Sequence, residues 1–143
     1  MVPRRGGRVP RFPSEAWAHA LREILNSSAA FREAAKDLEA DFLLHVEAEP
    51  PRLPKDQAIY VRLQDGRCTE LEEVEPDGGR SAEFTIIGSY PTWVALLKDE
   101  LDPVQGVLTR RFVVKGSMAR LMRHVGAARE LLRATRAVET EFA

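Results

Sequence analysis

Cysteine is nearly missing from this chain of 143 residues: Cys68 stands alone, so neither an intramolecular disulfide nor a thiolate metal cluster can form. Long apolar runs are missing too, and none approaches the roughly 18 residues that a membrane-spanning helix requires. The opening MVPRRGGRVPR leads into an amphipathic segment rather than the continuous apolar core of a secretory signal, so the expected location is the cytoplasm. Net charge is almost absent, with 21 Lys and Arg against 22 Asp and Glu, but its distribution is uneven. Arg4, Arg5, Arg8 and Arg11 at one end, and Arg110, Arg111, Lys115, Arg120, Arg123, Arg129, Arg133 and Arg136 at the other, bracket an acidic middle. Such polarity can steer anions or anionic surfaces, or it can be a solvated helix face with a basic tail.

Catalytic signatures are also lacking. There is no G-x-S-x-G elbow, Walker loop, H-E-x-x-H pair or dinucleotide fingerprint. His19, His45 and His124 lie far apart and fall in different expected elements. His45, Glu47 and Glu49 project from one strand face, which reads as a solvated polar face before it reads as a cation site. The expectation is therefore no catalytic residue, no metal site and no cofactor, and so no enzyme. The basic run from Arg110 to Arg133 contains a single aromatic, Phe112, at a strand-core position, so it lacks the stacking surface that nucleic-acid binding uses. No nucleic-acid partner is expected.

What is present is a composition, 44% hydrophobic and 30% charged, that suits one globular domain. Residues 1–13, rich in Pro, Gly and Arg, are expected to form a mobile tail, and residues 14–143 a single domain. Ser14 is a good N-cap for a helix whose Trp17, Leu21, Ile24 and Leu25 share a face, and a second helix carries Phe31, Ala34, Ala35 and Leu38. From Asp41 the period changes to two, with Phe42, Leu44, Val46 and Ala48 on one side and Leu43 and His45 on the other. Strands follow over 57–64 and 67–74, joined by the Asp65-Gly66 hairpin signal, with Glu70, Glu72 and Glu73 marking the latter as an edge. After a turn at 76–79 a fourth strand is expected at 82–87.

The densest apolar stretch runs from Gly88 to Leu132. It reads as a helix over 91–100, a tight Leu101-Asp102-Pro103 turn, a short helix to Leu108, a strand over 112–115 and one long helix. On that last helix Met118, Leu121, Met122, Val125, Ala128 and Leu132 follow helical spacing. Methionines on one face fill irregular apolar space, so the stripe is either ordinary core or a wall of a pocket.

These residues resemble the sterol carrier protein type 2 domain family, and especially its short bacterial members. Ala82-Glu83-Phe84-Thr85-Ile86 matches the family strand A-D-x-x-I. Glu100-Leu101-Asp102-Pro103, preceded by Lys98-Asp99, matches the helix ending in G-x-L-D/N-P. Arg111-Phe112-Val113-Val114-Lys115-Gly116 matches the strand that carries a basic residue and closes on glycine, followed by Ser117 and the helix of Met118, Leu121 and Met122. Two positions depart: Arg110 stands where the family usually has glycine, and Gly106 where it usually has alanine. The chain ends Glu141-Phe142-Ala143, unlike the Ser-Lys-Leu ending of peroxisomal members.

The resemblance implies an α/β (α+β) fold in which a five-stranded, largely antiparallel sheet is covered by helices around a hydrophobic tunnel. It implies non-catalytic binding or transfer of a fatty acid, fatty acyl-CoA or phospholipid, with sterol less favoured. The expected lining is Phe84, Ile86, Trp93, Leu97, Leu101, Leu108, Phe112, Val114, Met118, Leu121, Met122 and Val125, with Lys115, Arg111 or Arg120 near a ligand carboxylate or phosphate. At most peripheral membrane contact is expected, and a homodimer is left open. The alternative is a structural or dimerisation module whose groove accepts a helix of its own or of a partner protein; it predicts a filled interior and no extractable lipid.

Overall fold

The computed structural model describes residues 9–77 and 80–142. Arg4, Arg5, Arg8 and the glycines of the turn expected at 76–79 lie outside the described residues. The elements in chain order are β1 (Arg11–Phe12), α1 (Glu15–Ser27), α2 (Ala29–Ala34), β2 (Ala40–Glu47), β3 (Gln57–Gln64), β4 (Arg67–Val74), β5 (Phe84–Ser89), α3 (Tyr90–Leu97), α4 (Pro103–Leu108), β6 (Phe112–Lys115), α5 (Met118–Arg123), α6 (Val125–Ala137) and β7 (Glu141–Phe142). Among the described residues no helix is long and apolar enough to cross a membrane.

Five strands form one sheet in the order β4-β3-β2-β5-β6, antiparallel except where β2 pairs with β5. The expected mixed fold is present. Alternation puts Phe42, Val46, Ile59, Val61 and Leu63 on the inner face, where they join α1, α2, α3 and α6 in one core. The outer face is less polar than its sequence suggests: Leu43, Ala58 and Tyr60 are buried there, with Ala82 packed against them and the Arg80 guanidinium 3.9 Å from the centre of the Tyr60 ring. Period alone groups Leu43 with polar neighbours, whereas the connection between β4 and β5 supplies it with cover.

β4 is one of the two edge strands, as its glutamates suggest, with β6 at the other edge, and Glu15 of α1 accepts a hydrogen bond from the Glu73 backbone N–H at 2.5 Å. Serines open the helices as their side chains dictate: Ser14 accepts from Trp17 N, Ser28 from Phe31 N, Ser89 from Thr92 N and Ser117 from Arg120 N.

The strand expected at 82–87 runs Phe84–Ser89 and the helix expected over 91–100 runs Tyr90–Leu97; two further differences are larger. Of the segment 1–13 expected to be mobile, Arg11–Phe12 pairs in parallel with Glu141–Phe142, and Phe12 is buried with its ring edge-on to Trp17 at 4.8 Å. Partners about 130 residues away are invisible to a local composition argument. The long terminal helix is in fact two: His124 leaves helical geometry at φ −113°, ψ 27°. The neighbouring Gly126 weakens local helix preference. The break lets α5 lie at the surface while α6 buries Ala127, Leu132, Ala134 and Thr135.

Candidate functional site

Between the inner sheet face and α1, α3, α4, α5 and α6 lies a cavity of about 260 Å³. Leu44, Val46, Ile59, Val61 and Ile86 make its sheet wall, and α6 contributes Ala128, Leu131, Leu132 and Thr135. Among the described residues Thr135 is the only lining residue with a hydroxyl, and that hydroxyl donates to the Leu132 carbonyl at 2.6 Å. Both lining indoles are likewise satisfied away from the space, Trp17 Nε1 donating to Thr140 Oγ1 at 3.1 Å and Trp93 Nε1 to the His45 carbonyl at 3.0 Å. The walls thus present hydrocarbon and no free hydrogen-bonding side chain. A smaller cavity of about 80 Å³ adjoins it, and Leu44, Val61, Ile86, Leu121, Ala128 and Leu131 line both.

Of the twelve residues expected to line a pocket, Ile86, Trp93, Leu97, Leu108, Phe112, Val114, Met118, Leu121, Met122 and Val125 border the larger space. Phe84 borders the smaller one, where its ring stacks on Phe42 at 5.3 Å. Leu101 borders neither: the turn that carries it directs its side chain to the core beside Gly106, where it packs. Sequence reasoning missed Phe12, Trp17 and Leu21, which close one end from the N-terminal side. It also missed Val104 and Val107 of α4. The sheet wall is recoverable from sequence, since alternation groups Leu44 with Val46 and Ile59 with Val61.

Phe112 is seated by two glycines. It pairs across the ladder with Gly88, and a Cβ at Gly88 would stand 2.6 Å from Phe112 Cε1. On the other edge of the ring a Cβ at Gly106 would stand 2.8 Å from Cδ2. The ring therefore lies flush between β5 and α4, edge-on to Trp93 at 4.8 Å. Gly106, the departure from the family's usual alanine, is what admits it.

The turns that frame the opening follow one device. After α3, Asp99 takes φ 63°, with Asp99 N bonded to Leu96 O and Glu100 N to Ala95 O. After α4, Arg110 takes φ 62°, with Arg110 N bonded to Val107 O and Arg111 N to Gly106 O. Both are left-handed helix terminations of the kind glycine favours, built here with other residues. Asp102 then fixes the start of α4: Oδ2 accepts from Val104 N at 3.0 Å and Gln105 N at 3.2 Å, and Oδ1 pairs with Arg129 of α6 at 3.1 Å. The Gln105 N–H, with help from Arg129, holds the Asp102 carboxyl below its usual range. Pro103 follows at the first helical position, where its missing N–H costs nothing.

At the surface end of the cavity the lining residues Leu108, Met118 and Met122 are 69%, 37% and 44% exposed. They form an apolar mouth. The histidines lie elsewhere or at the margin: His19 meets Glu15 at 3.3 Å, His45 meets Asp56 at 2.8 Å, and His124 borders the smaller cavity. Burial pushes the Cys68 thiol up to about 11, which leaves it protonated at neutral pH.

A profile of the SCP-2 sterol transfer family matches residues 19–129. No curated protein matches the chain. Among solved structures, a crystal structure of sterol carrier protein 2 is 33% identical with a TM-score of 0.81, covering 87% of this chain and 97% of that one. The solution structure of a conserved hypothetical protein from Thermus thermophilus, described as possibly a sterol carrier protein, is 31% identical with a TM-score of 0.82, covering 95% of this chain and 94% of that one. Apo sterol carrier protein 2 from Yarrowia lipolytica, at 17% identity and TM-score 0.58 over 90% of this chain and 96% of that one, shares the fold. With the profile spanning most of the domain and the first two structures above 30% identity, the chain belongs to the SCP-2 sterol transfer family.

Proposed function

We propose that this protein is a cytoplasmic, non-catalytic carrier that binds one lipid by an acyl chain, with the two adjoining cavities serving as a tunnel and the polar head kept at the mouth. Family membership supports lipid binding in general. The observation that carries the finer reading is the dry wall: about 260 Å³ bordered by hydrocarbon, with its one hydroxyl already bonded to Leu132. Each methylene moved from water into such a space contributes about 0.8 kcal/mol, so a chain is held without polar contacts. A sterol hydroxyl pushed inside would meet no partner and would lose its hydration uncompensated. Fatty acid, fatty acyl-CoA and phospholipid keep their polar groups outside and avoid that cost. Of the cations expected near a head group, Arg120 is committed to Glu83 and to the Glu39 carbonyl, which leaves Lys115 and Arg111.

Uptake of a fluorescent fatty acid from vesicle-free solution tests this reading. Leu121→Trp places an indole where both cavities meet; excluding about three methylenes costs about 2.4 kcal/mol, or roughly sixty-fold in affinity. No uptake by the native protein at micromolar concentration, or equal uptake by Leu121→Trp, contradicts it.

A further inference from the structure

Sulfur is scarce in this chain, with one cysteine and three methionines, and the fold treats its described sulfur atoms in opposite ways. Met1 lies outside the described residues. Cys68 is 1% exposed, its Sγ donates to the Glu70 carbonyl at 3.3 Å, and burial keeps the thiol protonated. A thiol that is neither reachable nor ionised is slow to meet an oxidant. Met118 and Met122 are the reverse. Both are exposed, both border the larger cavity, and their spacing of four residues on α5 puts them on one helical face. A thioether has no proton to lose before it reacts, so access governs its oxidation. α5 is also lightly anchored. Among the described helices it alone buries no residue, and it lies between Gly116, at φ 128°, and the break at His124. What it gives the cavity is the lining side chains of Met118, Leu121 and Met122.

We propose that Met118 and Met122 are a redox-sensitive modification site, at which oxidation to methionine sulfoxide by a peroxide releases the bound acyl chain. At each residue the thioether sulfur takes one oxygen from hydrogen peroxide: the O–O bond breaks, an S=O bond forms, and the other oxygen leaves as water. Sulfur is oxidised by two electrons and the peroxide is reduced by two. The new oxygen is a hydrogen-bond acceptor at the rim of an apolar space. Turned inward, it meets walls whose Thr135 hydroxyl and two indoles are already committed elsewhere, and it loses its hydration uncompensated. Turned outward, it carries the side chain off the cavity and admits water where the acyl chain lies. Because α5 buries no residue, the change falls on the cavity and leaves the core packing alone. A thiol-dependent sulfoxide reductase restores the thioether, two thiols becoming a disulfide as the oxygen leaves as water. The proposal rests on the lipid-carrier reading for what is released.

The test is titration of the full chain with oleate before and after treatment with hydrogen peroxide, with peptide mass mapping of the added oxygen. Oxygen is expected on Met118 and Met122 and not on Cys68. Oleate affinity is expected to fall roughly ten- to hundredfold, with the thermal melting curve nearly unchanged and the affinity recovered after treatment with a sulfoxide reductase. Met118→Leu with Met122→Leu keeps a hydrocarbon rim without the sulfur. Whatever its starting affinity for oleate, peroxide is expected to leave that affinity where it was. Oxygen on Cys68 ahead of the two methionines, full oleate affinity in the oxidised native chain, a loss that comes only with unfolding, or an equal loss in the Met118/Met122 variant overturns the proposal. Failure of the untreated native chain to take up oleate would instead strike at the carrier reading.

Discussion

Replacing Gly88 by alanine tests the packing that shapes the cavity. β5 lies between β2 and β6, so its backbone is fixed on both sides. The added methyl would stand 2.6 Å from Phe112 Cε1 and 2.7 Å from Cδ1, and 3.3 Å from Trp93 Nε1. The ring has no retreat toward α4, because Gly106 already meets its far edge. Overpacking of this kind costs about 1–3 kcal/mol. Alanine recovers about 0.5–1 kcal/mol over glycine within a strand. The difference spans about 0–2.5 kcal/mol and centres on a loss of about 1 kcal/mol, which for a chain of this size lowers the melting temperature by about 2–5 °C. Gly126→Ala is the matched comparison, since nothing lies within 4 Å of its added methyl and the position is helical. It is expected to gain up to about 1 kcal/mol. Thermal unfolding followed by circular dichroism reads both. A Gly88→Ala melting temperature equal to or above the native value would refute the seating of Phe112, as would a Gly126→Ala loss of similar size.

Two further predictions concern the turns. Arg110 is held at φ 62°, so Arg110→Val, with a β-branched side chain, is expected to be less stable than Arg110→Gly by about 1–2 kcal/mol in urea denaturation; equal midpoints would remove the left-handed termination of α4 from the account. Asp56 accepts from His45 and from the Ala48 N–H at 2.8 Å, and these bonds, the His45 one foremost, hold its carboxyl below the ordinary carboxylate value. A depressed carboxyl stabilises above its unfolded value and loses that contribution as pH falls through the folded one. Asp56→Asn is therefore expected to melt slightly below the native chain at neutral pH, the effect being small because Asp56 is largely solvated, and the two curves should converge below about pH 4. A difference that persists in acid would deny Asp56 this role.

Local periodicity is enough to mark β2, β3 and β4 and, with the Asp65-Gly66 turn, to pair the last two, whereas the five-stranded sheet is implied by the resemblance, since the parallel pairing of β2 with β5 leaves no local sign. Leu101-Asp102-Pro103 is legible for a chemical reason, since a carboxylate cap followed by proline favours the start of a helix. The far end of the cavity is not legible. Phe12 reaches it through a strand pair with Phe142, and a short segment rich in proline and arginine carries no sign of a distant partner; Trp17 reaches it from the buried face of α1. Nor is the break at His124 readable, because the apolar stripe continues through it and only burial distinguishes the exposed α5 from the packed α6. Arg110 and Asp99 show the reverse case: the resemblance implies glycine at the first, and the left-handed backbone is retained without it at both.

Native mass spectrometry after incubation with oleate, followed by removal of free ligand, tests the carrier reading most directly. The cavity predicts one oleate retained per native chain and little or none on Leu121→Trp. A bare chain, or a tight dimer that takes up no oleate, would contradict it.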